Sequence, residues 1–275
     1  MYYKIYIFAL AAHGEGISGG DRIFIEFARY WSQEFPVTIF LWEEGYEMCL
    51  RQSLNISNIK YQISNMNSWT KFGFLVNYIA RISEGIRIGL SLKINNPENT
   101  IIYSASEFWM DSLPAFILKI RYPKLKWTAA WYQTAPNPVR GFTEGIREKK
   151  YRLSSFLYWF IQLPIKPLIN KWADFVLVNN DLEKKEFFRL NRLNKVIPVL
   201  GAVDLPGIKK FIRVHSKALK IYDAVFQGRF HPQKGVLELI DIWKLVVDEK
   251  PDVKLVLIGD GPLMENVKLQ LQITN

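Results

Sequence analysis

Short runs of β-branched and aromatic residues, each long enough for one strand, alternate with stretches of helical apolar spacing along this chain. Residues 225–262 show the pattern most compactly: VFQGRFHPQKGVLELIDIWKLVVDEKPDVKLVLIGDGP. Tyr222–Gln227 and Val253–Ile258 have strand character. Val236–Val247 between them carries apolar residues at 236, 239, 240, 243, 246 and 247, which is one face of a helix. Strands apolar throughout are buried on both faces, and that calls for a parallel sheet layered between helices. The fold class expected is therefore α/β.

The same alternation begins at the N-terminus. Lys4–Leu10, Val37–Trp42, Thr100–Ser104, Lys126–Tyr132, Ala173–Asn179 and Lys195–Leu200 read as strands. Asp21–Glu34 and Met110–Ile120 read as helices, and Asn180 with Glu183 forms an N-cap and capping-box pattern opening another. A glycine- and proline-containing loop at 201–207 runs into a basic, weakly patterned linker. The domain boundary expected there divides the chain into residues 1–205 and 206–275.

Ligands of open parallel sheets bind beyond the carboxyl ends of the strands. That rule selects the loops at 11–20, 43–45, 104–107, 132–141, 179–181, 201–204, 228–235 and 259–262. The first contains His13 and the glycines Gly14, Gly16, Gly19 and Gly20 before a helix. Gly14, Gly16 and Gly19 satisfy G-x-G-x-x-G, and Glu43 ends the second strand where a ribose-binding acid would sit. This supports a dinucleotide reading, an NAD(P)-dependent oxidoreductase. Against it, Ala11–His13 separate strand from first glycine, whereas a dinucleotide turn begins at the strand end. On either reading, amides at a helix N-terminus attract anions.

In the loop at 228–235, Gly228-Arg229 and Lys234-Gly235 lie between a buried strand and an amphipathic helix. Two fixed cations beside a helix N-terminus stabilise charge developing on a leaving diphosphate. An Arg and a Lys five residues apart are, on their own, an ordinary solvated loop. Gly259-Asp260-Gly261-Pro262 is likewise only a turn, except for its place after the next strand.

These residues resemble family 4 glycosyltransferases. Gly228-Arg229…Lys234-Gly235 is similar to the family's G-R-x(n)-K-G signature, Gly259–Pro262 to its second glycine turn, Gly19-Gly20 to its G-G loop, and Val203-Asp204 to the entry of its linker. The resemblance implies the GT-B architecture of two Rossmann-like domains, the second incomplete here. It implies retaining transfer of a sugar from a nucleotide-sugar to a saccharide or lipid-linked acceptor, without a metal or other cofactor. Arg229, Lys234, Gly19 and Gly20 would contact the donor diphosphate, and Gly228, Gly259, Asp260 and Gly261 would line the nucleotide pocket. Family members carry an E-x7-E segment that grips donor sugar and ribose. Glu265 does not match it, so a C-terminally truncated chain with little activity alone is expected. Relatives often carry a histidine in the loop at 131–138; this chain has Tyr132 and Gln133. With Thr134 these are candidate acceptor contacts, and His13 is a further candidate catalytic group.

Charge bears on partners. The net charge of +10 comes entirely from residues 111–220, which hold 21 Lys and Arg against 8 Asp and Glu. Arg147–Arg152 followed by the aromatic run at 156–160 suits an anionic membrane surface, as does Trp69–Lys93 with Lys71, Arg81, Arg87 and Lys93. The alternative is core-facing helices with basic outer faces. No nucleic-acid motif accompanies the charge. Three scattered histidines and one cysteine, Cys49, form no metal-ligand pattern and no disulfide. The first strand flows into its glycine loop and reads as core rather than a signal peptide. A cytoplasmic protein, peripheral at the inner face of the membrane, is expected.

Overall fold

The computed structural model describes residues 3–14, 16–64, 72–135, 137–138, 153–217 and 219–274. They fall into two units, Met1–Asp204 and Leu205–Asn275. The first is a parallel sheet of seven strands: β1 (Lys4–Phe8), β2 (Val37–Trp42), β3 (Ile59–Ser64), β4 (Thr100–Ser104), β5 (Lys126–Trp131), β6 (Phe175–Val178) and β7 (Val196–Pro198). Their order is β3-β2-β1-β4-β5-β6-β7, so the winding reverses between β1 and β4.

Strand alternation sends successive side chains to opposite faces. Tyr6, Phe8 and Leu10, with Phe40 and Trp42, join the core under α3 (Phe74–Ser91), α4 (Trp109–Arg121) and α5 (Leu153–Trp172). Ile5, Ile7, Ala9, Val37 and Ile39 join the opposite core, under α1 (Gly19–Trp31) and α2 (Glu43–Arg51). A central strand residue such as Ile7, wholly buried, contributes about 1.5–3 kcal/mol by leaving water. Helices α3 and α4 cross closely because Gly85 and Gly89 face α4. A Cβ on Gly85 would stand 2.7 Å from the Met110 carbonyl oxygen, and one on Gly89 3.0 Å from Pro114 Cα.

The second unit contains α7 (Leu205–Val214), β8 (Ala224–Gln227), α8 (Val236–Glu249), β9 (Leu255–Ile258) and α9 (Met264–Thr274). Strands β8 and β9 pair in parallel. Phe230, Val236, Ile240 and Val267 form its core, with Phe226, Leu257 and Met264 against them.

Several expectations change. Gly19 and Gly20 are the first turn of α1 rather than a flexible loop, because Ser18 caps the helix there. Residues 43–45 begin α2. The pattern at Asn180 opens a 3-10 helix, Leu182–Phe187, followed by one α-turn, α6 (Phe188–Asn191). Asn180 Oδ1 does accept from Glu183 N at 3.1 Å, but the Glu183 carboxylate accepts from Thr134 and does not complete the box. The weakly patterned linker contains α7, whose Pro206 sits in the first turn, where a proline is tolerated.

Candidate functional site

The reversal between β1 and β4 opens a crevice at their carboxyl ends. Two buried charged side chains shape it. Arg81 of α3 donates to the carbonyl oxygens of Leu10 at 2.7 Å and Ala12 at 3.1 Å, to Glu44 Oε2 at 3.3 Å and to Asn77 Oδ1 at 2.6 Å. Its guanidinium also lies over the Trp42 ring, 4.9 Å from the centroid. Burial lowers its pKa, and Glu44 counters that. From the other side, Asp111 Oδ1 accepts from Ala11 N at 3.1 Å and Oδ2 from Ser106 Oγ at 2.5 Å. Burial pushes the Asp111 carboxyl up to about 7. The segment after β1 is thus gripped by its own backbone groups from α3 and α4. Beside it lies a cavity of about 270 Å³ whose lining includes Ala11, His13, Glu44, Tyr78, Arg81 and Phe108.

Past this cavity the chain enters α1. Ser18 Oγ accepts from Asp21 N at 3.2 Å, and Asp21 Oδ2 accepts from Ser18 N at 2.9 Å. This reciprocal cap takes up the amide of Asp21, while those of Gly19 and Gly20, first in the helix, have no partner within it, an anion-attracting arrangement. A Cβ on Gly20 would lie 3.3 Å from Tyr132 Cδ2, so the helix start rests on the ring of Tyr132. Among the described residues of this loop only Gly14, at φ +79°, has left-handed backbone. Gly16 and Gly19 face open space.

Tyr132 follows β5, and its hydroxyl lies 2.6 Å from that of Tyr103. Burial raises the pKa of both phenols, which suits them to hydrogen bonding rather than to proton abstraction. Helix α5 fixes the rest of the loop. Gln162 Nε2 donates to the Gln133 carbonyl at 2.8 Å, and Gln162 Oε1 accepts from Ala135 N at 2.7 Å. Glu107, buried at the end of β4, accepts from Tyr158 Oη at 2.7 Å and from the Tyr132 amide; burial raises its pKa.

In the second unit two loops interlock. Phe230 N donates to the Asp260 carbonyl at 2.8 Å, Gly228 N to that of Ile258 at 3.0 Å, and Leu263 N to that of Phe230 at 3.0 Å. A Cβ on Gly259 would stand 1.9 Å from the Gly228 carbonyl oxygen and 2.8 Å from Phe230 Cε1. One on Gly261, at φ +151°, would stand 2.6 Å from the Phe230 carbonyl oxygen. Glycine alone fits either place. Phe230 points into the core, Arg229 and Lys234 outward. Neither cation forms an ion pair among the described residues. Gly235, left-handed at φ +66°, starts α8 without a side-chain cap, so the first amides of that helix have no partner within it or from a capping side chain.

No family model matches the chain. An uncharacterized glycosyltransferase of Methanocaldococcus jannaschii is 28% identical over 154 residues, covering 50% of this chain and 34% of the relative. The match thus spans about a third of that protein. Among solved structures, an α,α-trehalose-phosphate synthase (UDP-forming) from Burkholderia vietnamiensis superposes with a TM-score of 0.59 at 11% identity, over 100% of this chain and 69% of that one. Staphylococcus aureus TarM, a point mutant solved with fondaparinux, α-GlcNAc-glycerol and UDP, gives 0.57 at 10% identity over 99% and 75%.

The fold is GT-B-like.

This GT-B-like fold does not favour the dinucleotide reading. Strand β1 ends at Phe8 and α1 begins at Gly19, a connection far too long for a tight glycine turn, and neither Gly16 nor Gly19 is needed for space. Of the candidate residues, Gly20 and Tyr132 are in contact. His13 lies at the 270 Å³ cavity, exposed, its Nδ1 3.1 Å from the Ala11 carbonyl oxygen. The Gln133 side chain is exposed while its carbonyl is engaged by α5. The Thr134 hydroxyl joins Trp131 Nε1 to the Glu183 carboxylate. Gly228, Gly259, Asp260 and Gly261 come together with Phe230 in the interlocked pair of loops.

Arg81 is not on the outer face expected of it; it is buried beneath the loop after β1. Lys71 and the basic run 147–152 lie outside the described residues. Sequence patterns do not single out Asp111 and Glu107. Their only signal is a carboxylate within an apolar stretch directly after a strand, and such a residue must find a partner. Among the described residues no helix is long and apolar enough to cross a membrane.

Proposed function

We propose that this chain serves glycosyl transfer with retention, from a nucleotide-sugar donor to a saccharide or lipid-linked acceptor. The observation that carries the reading is the interlock of Gly228–Phe230 with Gly259–Gly261. It holds Arg229 and Lys234 outward beside the uncapped start of α8. The relative named as a glycosyltransferase and a structural neighbour solved with UDP support it.

In this reading the bond between the donor's anomeric carbon and its diphosphate breaks. The acceptor oxygen bonds to the same face of the sugar, and its proton departs on the nucleoside diphosphate. Arg229 and Lys234 neutralise the charge gathering on the diphosphate, the role a metal ion would otherwise fill. Gly228, Gly259, Asp260 and Gly261 shape the nucleotide pocket. The amides of Gly19 and Gly20 are proposed anion contacts of the first unit, with His13, Tyr132 and Gln133 proposed near the acceptor.

Calorimetric titration with UDP and with GDP tests the reading. Binding of one of them is expected, weakened about tenfold or more by Arg229→Ala and again by Lys234→Ala. Failure of both nucleotides to bind, or stabilisation by NADH alone, would overturn it.

A further inference from the structure

Helix α7 reads LPGIKKFIRV. At helical spacing Leu205, Ile208, Phe211 and Ile212 share one face, while Lys209, Lys210 and Arg213 share the other. None of its residues is buried: Ile208 is 46% exposed, Ile212 61% and Phe211 63%. A ten-residue helix is marginal in water by itself, so an uncovered apolar face of this length calls for a surface to rest on.

The charges indicate which surface. Lys217 and Lys220 follow the helix, Leu219 is 90% and Ile221 66% exposed among them, and no carboxylate occurs between Asp204 and Asp223. Lys209, Lys210 and Arg213 make no ion pair among the described residues. A protein layer over the apolar row would leave the cations of the opposite face in water with no acidic partner, and so would use only half of the pattern. A nucleic acid would meet the cations and leave the apolar row in water. A bilayer interface satisfies both: acyl chains take the apolar row, and lysine and arginine stems carry their charges up to anionic headgroups.

We propose that α7 docks the protein on an anionic phospholipid surface, lying in the plane of the interface with Phe211 and Ile212 inserted. The contact is separate from the sugar-transfer reading and stands without it. It is also distinct from the basic run at 147–152 and the aromatic run at 156–160 singled out in the sequence.

Cys49 is the only cysteine and is buried, so Phe211→Cys and Lys210→Cys each offer a single site for an environment-sensitive fluorophore. The full chain is mixed with vesicles of phosphatidylcholine alone or blended with phosphatidylglycerol. The label at 211 is expected to shift blue and brighten on the blended vesicles only, reversibly with salt, while the label at 210 stays in water. Reversing the three charges (Lys209→Glu, Lys210→Glu, Arg213→Glu) should weaken partitioning at least about tenfold. Circular dichroism checks that these exposed-face variants remain folded. A silent 211 label on blended vesicles, or an equal response at 211 and 210, overturns the proposal. So does a lipid-independent dimer abolished by Phe211→Asp.

Discussion

The first unit buries its sheet between two layers of helices; the second sets two strands against α8 and α9 around Phe230, Val236, Ile240 and Val267. Their loops are held differently in consequence. In the first unit, buried side chains such as Arg81 and Asp111 reach across from neighbouring helices to hold the segment after β1. In the second, backbone locks onto backbone at Gly259 and Gly261, and one aromatic ring fills the space below. A large core can position a loop by side-chain reach. A small one relies on contacts too close for any side chain.

The largest expected effect breaks this comparison at the cores. Trp127→Ala and Phe230→Ala each remove a buried aromatic at about 3–5 kcal/mol. In hydrogen exchange, the first variant should keep protected amides in β1–β7 with a lowered melting temperature. The second should lose protection in β8 and β9 altogether. Equal retention of protection in both would show that the second unit has stability its core does not account for.

Next come the glycines. Gly259→Ala forces a contact with the Gly228 carbonyl and should cost at least about 1–3 kcal/mol, with nucleotide binding lost in the titration described above. Gly20→Ala meets the edge of the Tyr132 ring at 3.3 Å and Ser18 Oγ at 3.8 Å, in a helical turn where alanine is favoured. Its stability should stay within about 0.5 kcal/mol of the parent. A large loss there would mean that the Gly20–Tyr132 contact is as unyielding as the second unit's.

A smaller effect is read against pH. The Asp111 carboxyl rises from its ordinary 3.8 to about 7, so the folded state binds its proton more tightly than the unfolded chain. Its contribution is most favourable below pH 3.8, falls as pH rises toward 7, and is level above that. Asp111→Asn keeps an acceptor for Ala11 N but carries no charge. The variant should therefore gain thermal stability relative to the parent as pH rises from about 4 to 7. A difference that does not change with pH would assign Asp111 no titration in this range.

Much of the fold was legible because buried parallel strands must be apolar throughout. The runs at 4–8, 37–42, 100–104 and 175–178 stand out for that reason. Strand β3 did not: IKYQIS lies at the sheet edge, half-exposed, and mixes polar with apolar residues. Helix α7 was hidden by Pro206 and Gly207 near its start and by the density of lysines. At the candidate sites, residue type was readable and geometry was not. Arg229 and Lys234 were recognisable by their place between strand and helix, whereas Arg81 looked like one more surface cation until α3 was packed.

From residue order alone came the α/β class, the division near residue 205 and the glycine turns beside Arg229, since these depend on local periodicity and backbone freedom. Only the tertiary structure decided that Gly20 meets Tyr132, that Asp111 and Arg81 grip the segment after β1, and that Gly259 locks against Gly228. Each of those contacts joins residues far apart in the chain, and their spacing is set by how sheet and helices pack, which no local pattern encodes.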